Sequence, residues 1–306
     1  MDFSALIKKS FDIAWHNRVL WLFGFLSGGV TGIGSLNPNS FNIGLPSSEK
    51  STEHTSNVLG AMDPSAISSQ TWLIILLVAA LVILVLVLIA IFVSNWAAGA
   101  LVFSILERDK QRPSFSVGAR AGFKYWWKFW LLTLTLGLLI LAFMLMLALP
   151  AILLFISRLQ VLAIIYIVLA VIIFVLAIFV ISTIGSLIIT ISQRIIIQKE
   201  VGVLESIRLS GGLIKKYLGE SLLAYLVAIG LNFAAVFAAM VIFIPIAVVL
   251  ILMFVIGIAF HLFIWLGLIL MIPALLFLFA ISGFWQAFNA SYWTLVYEHL
   301  ASKEGW

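Results

Sequence analysis

Residues 122–130 read "GFKYWWKFW": Lys124 and Lys128 stand among Phe123, Tyr125, Trp126, Trp127, Phe129 and Trp130. Cations and flat rings so closely mixed serve either to stack on nucleobases or to anchor a helix at the rim of a lipid bilayer. The residues downstream decide between them. From residue 129 to 157 there is no Asp, Glu, Lys or Arg, and equally uncharged runs cover 71–106, 159–193 and 221–297. About 20 apolar residues cross a hydrocarbon core, so each run spans at least once and the last is long enough to span twice. A shorter run over 19–36 brings the simplest count to six spans, at about 19–36, 71–106, 129–157, 159–193, 220–252 and 256–297. Five or seven stay open, because the final run has no clear internal break.

Composition agrees. Apolar residues make up 64% of the 306 and charged residues only 9%, against nearer half and a quarter in ordinary globular domains. Of the 17 basic residues, fifteen fall in four segments: Lys8 to Arg18, Arg108 to Lys128, Arg194 to Lys216, and Lys303. Lys50 and Arg158 alone occupy the alternate loops, where Glu49, Glu53 and Asp63 lie. The positive-inside rule then places both termini in the cytoplasm. The net charge of +5 is accounted for by anionic headgroups without nucleic acid, and no folded RNA-binding module surrounds the basic-aromatic stretch. There is no cysteine, which removes disulfides and thiolate chemistry. Lys8 and Lys9 ahead of an apolar run have the look of a secretory signal, but Asp2 and Asp12 do not belong in one, so an uncleaved first helix is expected. The whole of 1–306 reads as a single membrane domain, with an external polar loop over 37–70 rich in Ser, Asn, Gly and Pro.

Three segments align without gaps: "FSALIKKSFDIAWHNR" from Phe3, "FSVGARAGFKYWWKFW" from Phe115 and "VLESIRLSGGLIKKYL" from Val203. In that register Lys8, Arg120 and Arg208 coincide, as do Ser10, Gly122 and Ser210, and His16, Lys128 and Lys216. Each segment is about four amphipathic turns, too short and too charged to span, so interfacial helices are expected over 1–18, 114–128 and 202–217. Each precedes a span outward and a span back. The sequence therefore predicts an all-α membrane protein of three parallel units, with chance similarity of juxtamembrane segments as the competing explanation.

The arrangement of interfacial segment and paired spans, with "FDIAWHNRVLWLFGFL" (11–26) and "RIIIQKEVGVLESIRLSGGLIKKYLGESLL" (194–223), resembles the bacterial membrane domain attached to glycerophosphoryl diester phosphodiesterases and related stand-alone inner-membrane proteins. The resemblance implies a six-helix protein of the bacterial plasma membrane. It does not carry the phosphodiesterase over, since that catalytic barrel is a separate domain with no room in this chain.

No constellation of nucleophile, base and metal is legible, so neither an enzyme nor a cofactor or metal site is expected. His16, His54 and His299 are scattered, and His261 falls near the turn before the last span, where a solvated histidine is the plainer reading. Ionisable side chains are almost absent from the spans. On the returning helices, however, Asn95, Ser186 and Gln286 each stand twelve residues before Glu107, Gln198 and Glu298, about 18 Å from the helix end and so near mid-membrane. With Asn289 and neighbouring small residues they could line one polar patch, or simply pack helices together. Gly28 and Gly32 in the first span read as packing, and Pro150, Pro245 and Pro273 as kinks or ends. Lys124, Lys128, Arg194, Arg208, Lys215 and Lys216 are the expected contacts for anionic headgroups, Arg194 having a helix-end charge as its plainer reading. Two functions remain: a lipid-interacting or membrane-organising accessory protein that docks a partner subunit, and a transporter or channel for a weakly charged or lipid-like solute.

Overall fold

The computed structural model describes residues 1–28, 69–110, 112–157, 160–259 and 261–306. Residues 37–68 of the expected loop at 37–70, the second half of the 19–36 run, Gly32, His54 and Arg158 lie outside the described residues, as does the side chain of His261, while Ser69 and Gln70 are helical. Among the described residues there is no strand. The helices are α1 (Phe3–His16), α2 (Arg18–Gly28), α3 (Ser69–Leu106), α4 (Phe115–Ile156), α5 (Gln160–Lys199), α6 (Val203–Lys216), α7 (Leu218–Ala259) and α8 (His261–Lys303). By length and composition five are apolar enough to cross a membrane: α3, α4, α5, α7 and α8.

Helices α1, α4 and α6 begin at Phe3, Phe115 and Val203, the first residues of the three aligned segments. Asp2 caps α1 by accepting from the Ala5 amide at 3.2 Å, while Ser114 and Gly202 hold the same place before α4 and α6. The chain breaks at Asn17 after α1 and at Tyr217 after α6, again one register position. At the matching Phe129 it does not break: 114–128 and 129–157 form one continuous helix. The difference is chemical. Asn17 turns its amide back to the Ile13 carbonyl at 2.8 Å, the local competition that ends helices, and Tyr217 reaches the Lys303 carbonyl at 3.3 Å. Phe129 is fully buried in an apolar cluster with Val102, Tyr125, Leu132 and Ile196 and has no polar side-chain atom to make either bond. Pro150, Pro245 and Pro273 lie inside α4, α7 and α8, so none of them ends a helix.

Packing follows a cyclic order. Helices α1 and α2 lie on α8, α4 lies on α3, and α6 lies on α5, while α3, α5 and α8 touch one another. The three helices that run back toward the charged end therefore meet at the centre, and each is covered by the helical segment that follows it in chain order, with α1 and α2 taking that place for α8. Small residues set the closest approaches. A Cβ on Gly122 would sit 2.5 Å from the Trp96 carbonyl oxygen, and one on Gly28 2.5 Å from Gln286 Nε2. Ser10 and Ser210, at the Gly122 register, are completely buried.

All three apolar clusters lie at the charged end of the bundle. Beyond it the helices cover little of each other. Every described side chain of α3 from Leu73 to Ile89 is exposed, and among the described residues no whole side chain is buried in α4 after Leu132 or in α7 after Ala228. Such apolar surface cannot face water without a large free-energy cost.

Candidate functional site

The polar positions on the central helices sit where burial begins. In α3 the first buried side chain is Ala97, in α5 burial starts at Gly185, and in α8 it is dense from Ala287 on, so Asn95, Ser186 and Gln286 each stand within two residues of that onset on their own helix. Asn95 Nδ2 donates to the Ile91 carbonyl at 2.8 Å and Ser186 Oγ to the Thr183 carbonyl at 2.9 Å. Both groups are spent on their own helices. Next to Asn95, Ser94 Oγ reaches the Ser27 carbonyl at 2.8 Å, and Gln286 lies against Gly28. The end of α2 thus joins the Asn95 and Gln286 regions. Ser186 is held apart on α5. Asn289 is 8% exposed and points toward α7, since Tyr292 and Trp293, three and four residues on, meet that helix through a hydrogen bond to the Ala224 carbonyl at 2.9 Å and a ring contact with Tyr225. In the same seam Ser221 Oγ, Asn232 Oδ1, Trp285 Nε1 and Trp293 Nε1 are buried without a protein partner.

Below this level lies Arg194, 3% exposed. Its guanidinium donates to the carbonyls of Thr190 at 2.6 Å and Ala290 at 3.1 Å, and to Gln193 Oε1 at 3.3 Å and Thr294 Oγ1 at 3.4 Å. Every acceptor is neutral and belongs to the protein. The side chain clamps α5 to α8 from within, and Tyr297 adds a hydrogen bond to Gln198 across the same interface.

The remaining cations divide into two sets. Arg108 makes a bidentate pair with Glu298 at 2.8 and 2.9 Å, fixing the end of α3 to α8. Lys124 meets Glu200 at 2.6 Å, and Lys128 donates to the carbonyls of Glu200 and Val201 at 3.2 and 3.1 Å; together they hold the α5–α6 corner to α4. Lys216 pairs with Glu304 at 2.6 Å, and Lys199 stands 3.3 Å over the Trp306 ring. Hydrogen bonding from Lys124 holds the Glu200 carboxyl below its ordinary range, and hydrogen bonding from Lys216 does the same to Glu304. Arg208 and Lys215, by contrast, are exposed on one face of α6, and no carboxylate among the described residues pairs with them. Lys8, Lys9 and Arg120 share that condition. Within the ring-rich stretch Tyr125 is buried and donates to Glu200, whereas Phe123 and Trp127 face outward.

The amino-acid order does not announce the Arg108–Glu298 clasp, because 190 residues separate its members and neither has a helical neighbour that points to it. Among the described residues no three His, Asp or Glu side chains converge as a metal site. His16 lies beside Asp12 on its own helix, and His299 is 3.6 Å from Glu220.

Long apolar helices closed at one charged end define an all-helical protein of the membrane-embedded class. Within that class the chain belongs to a family of unknown function (DUF7544), which matches residues 14–302. No curated protein and no solved structure matches it.

Proposed function

We propose that the chain is a six-span, non-enzymatic protein of the bacterial plasma membrane with both termini in the cytoplasm, built of three repeated units, and that it acts as a lipid-interacting, membrane-organising accessory or scaffold subunit. The observation that carries this reading is the contrast between a packed charged end and far halves that bury almost nothing on one another. Those halves need lipid or a partner's helices to cover them. The common starting register of α1, α4 and α6 and the cyclic packing order support the three units, and the likeness to the membrane domain of glycerophosphoryl diester phosphodiesterases supports the setting. Purification in native-lipid particles, followed by mass spectrometry of the retained lipids and proteins, tests the role: retained anionic lipid or a stoichiometric partner is expected. A particle holding only bulk lipid in its bulk ratio refutes it.

A second reading, a transporter or channel for a weakly charged or lipid-like solute, is favoured by the unpartnered polar atoms of the α7–α8 seam, Asn232 Oδ1 and Trp285 Nε1 above all. Under the accessory reading the double change Asn95→Leu and Gln286→Leu leaves function intact. Loss of solute flux in a folded double variant decides for transport.

A further inference from the structure

Lys8, Phe11 and Trp15 occupy positions i, i+3 and i+7 of α1, and so share one face. Arg120, Phe123 and Trp127 stand at the same three register positions of α4, 112 residues on. The exposures match as well: Phe11 48% and Trp15 54%, Phe123 58% and Trp127 49%. In both places the rings rest on aromatics of the helix beneath. Phe11 meets Phe284 of α8 at 5.4 Å, and Phe123 meets Trp96 of α3 at 5.6 Å. On α1 the face carries a shallow groove lined by Ser4, Ile7, Lys8 and Phe11. The equivalent positions of α6 hold Arg208, Gly211 and Lys215, which keep the cation and lack the rings.

We propose that the outward faces of α1 and α4 are two copies of one binding site for an anionic phospholipid, in which Lys8 or Arg120 meets the phosphate and the Phe and Trp rings cover the glycerol and upper acyl chains. This rests on the lipid-interacting function proposed for the chain. The occupant follows from the chemistry. An unpaired cation calls for an anion, and half-exposed rings one turn away call for hydrocarbon at the same spot; on α4 the rings run directly into the exposed apolar side chains of the far half. A phospholipid supplies both, with the rings at the depth where Trp partitions best. Lys124 and Lys128, spent on Glu200 and Val201, do not take part.

The test uses the full chain in vesicles whose acyl chains are brominated near the glycerol, on either a phosphatidylglycerol or a phosphatidylcholine component. Quenching assigned to Trp15 and Trp127 is the difference between the native chain and the double variant Trp15→Phe, Trp127→Phe, which separates them from the other nine of the 11 tryptophans. Stronger quenching from the phosphatidylglycerol component is expected, and Lys8→Gln with Arg120→Gln should abolish that preference while circular dichroism shows an unchanged helix content. Each cation is worth about a fivefold preference at an anionic surface. Lys110→Gln, a charge loss away from both faces, should leave the preference in place. Equal quenching by the two components, or the same loss from Lys110→Gln, overturns the anionic site but not the lipid-facing reading. No quenching of Trp15 and Trp127 by either component overturns both.

Discussion

Gly24 of α2 and Gly283 of α8 are the point where the N-terminal helices close the ring, and an alanine at 283 should open it. A Cβ there would overlap the Trp21 carbonyl oxygen and sit 2.9 Å from its carbonyl carbon and 3.2 Å from its Cα. Ordinary carbon contacts are about 3.5–4 Å, so the two backbones must part by about 1 Å. Neither side can yield by a rotamer change, which puts the strain at the upper end of the usual overpacking range, about 3 kcal/mol. Alanine returns about 1 kcal/mol through helix propensity. The net loss is about 2 kcal/mol, a ~30-fold shift in the folding equilibrium and a fall in Tm of about 3 °C. Gly137 of α4 is the built-in control, since a Cβ there would meet nothing within 4 Å, and Gly137→Ala should be neutral or stabilise by up to about 1 kcal/mol. Thermal unfolding in mixed micelles, followed by near-ultraviolet circular dichroism of the Trp-rich α1–α2–α8 contact, measures both. If Gly283→Ala and Gly137→Ala melt together, α2 and α8 do not cross at these glycines and the cyclic closure fails with them.

Glu298→Gln removes one charge of a pair whose Arg108 side chain is only 9% exposed; a loss of about 2 kcal/mol in thermal stability is expected, and Arg108→Lys should recover little of the bidentate geometry. Arg194→Met exchanges a buried cation with neutral acceptors for an apolar side chain of similar length, so stability should stay within about 1 kcal/mol and retained anionic lipid should not change; a large drop in retained lipid would show that Arg194 reaches a headgroup. Glu200 and Glu304 have folded-state pKa values below the ordinary carboxylate range. Their contribution is therefore complete above that range and disappears as pH falls through the lowered values. Protection against hydrogen exchange at the α5–α6 corner, residues 199–206, taken relative to the intrinsic amide rate at each pH, should fall at acid pH in the native chain, while Glu200→Gln should show the low protection already at neutral pH.

Most of the helical plan is written in the order of the residues. Charge-free runs longer than a bilayer's hydrocarbon allow only helices, and α3, α4, α5, α7 and α8 fall on the expected stretches because hydrophobicity and helix length are properties of each segment alone. The starts of α1, α4 and α6 were legible for the same reason: the gapless alignment of three short amphipathic segments rests on local chemistry. The continuity of α4 through Phe129 was not, since it depends on burial against Val102 and Ile196, which lie far away in the chain.

The candidate site divides along the same line. Sequence spacing placed Asn95, Ser186 and Gln286 at one level, and in the structure each stands near the onset of burial on its own helix. It could not show that Ser186 satisfies itself on α5 while the end of α2 joins the regions of Asn95 and Gln286. Nor could it sort the cations. Lys124, Lys128, Lys216 and Arg194 look like Lys8, Arg120, Arg208 and Lys215 in one dimension, all basic residues at membrane-proximal helix ends. Only the folded chain brings Glu200, Glu304 and the carbonyls of Thr190 and Ala290 to the first four and leaves the others facing outward. Amino-acid order alone determines which segments form helices and how apolar they are, because those preferences act over a few neighbouring residues. Which charge is neutralised and which is left for a ligand is decided by three-dimensional packing, because electrostatic partners are set by distance in space.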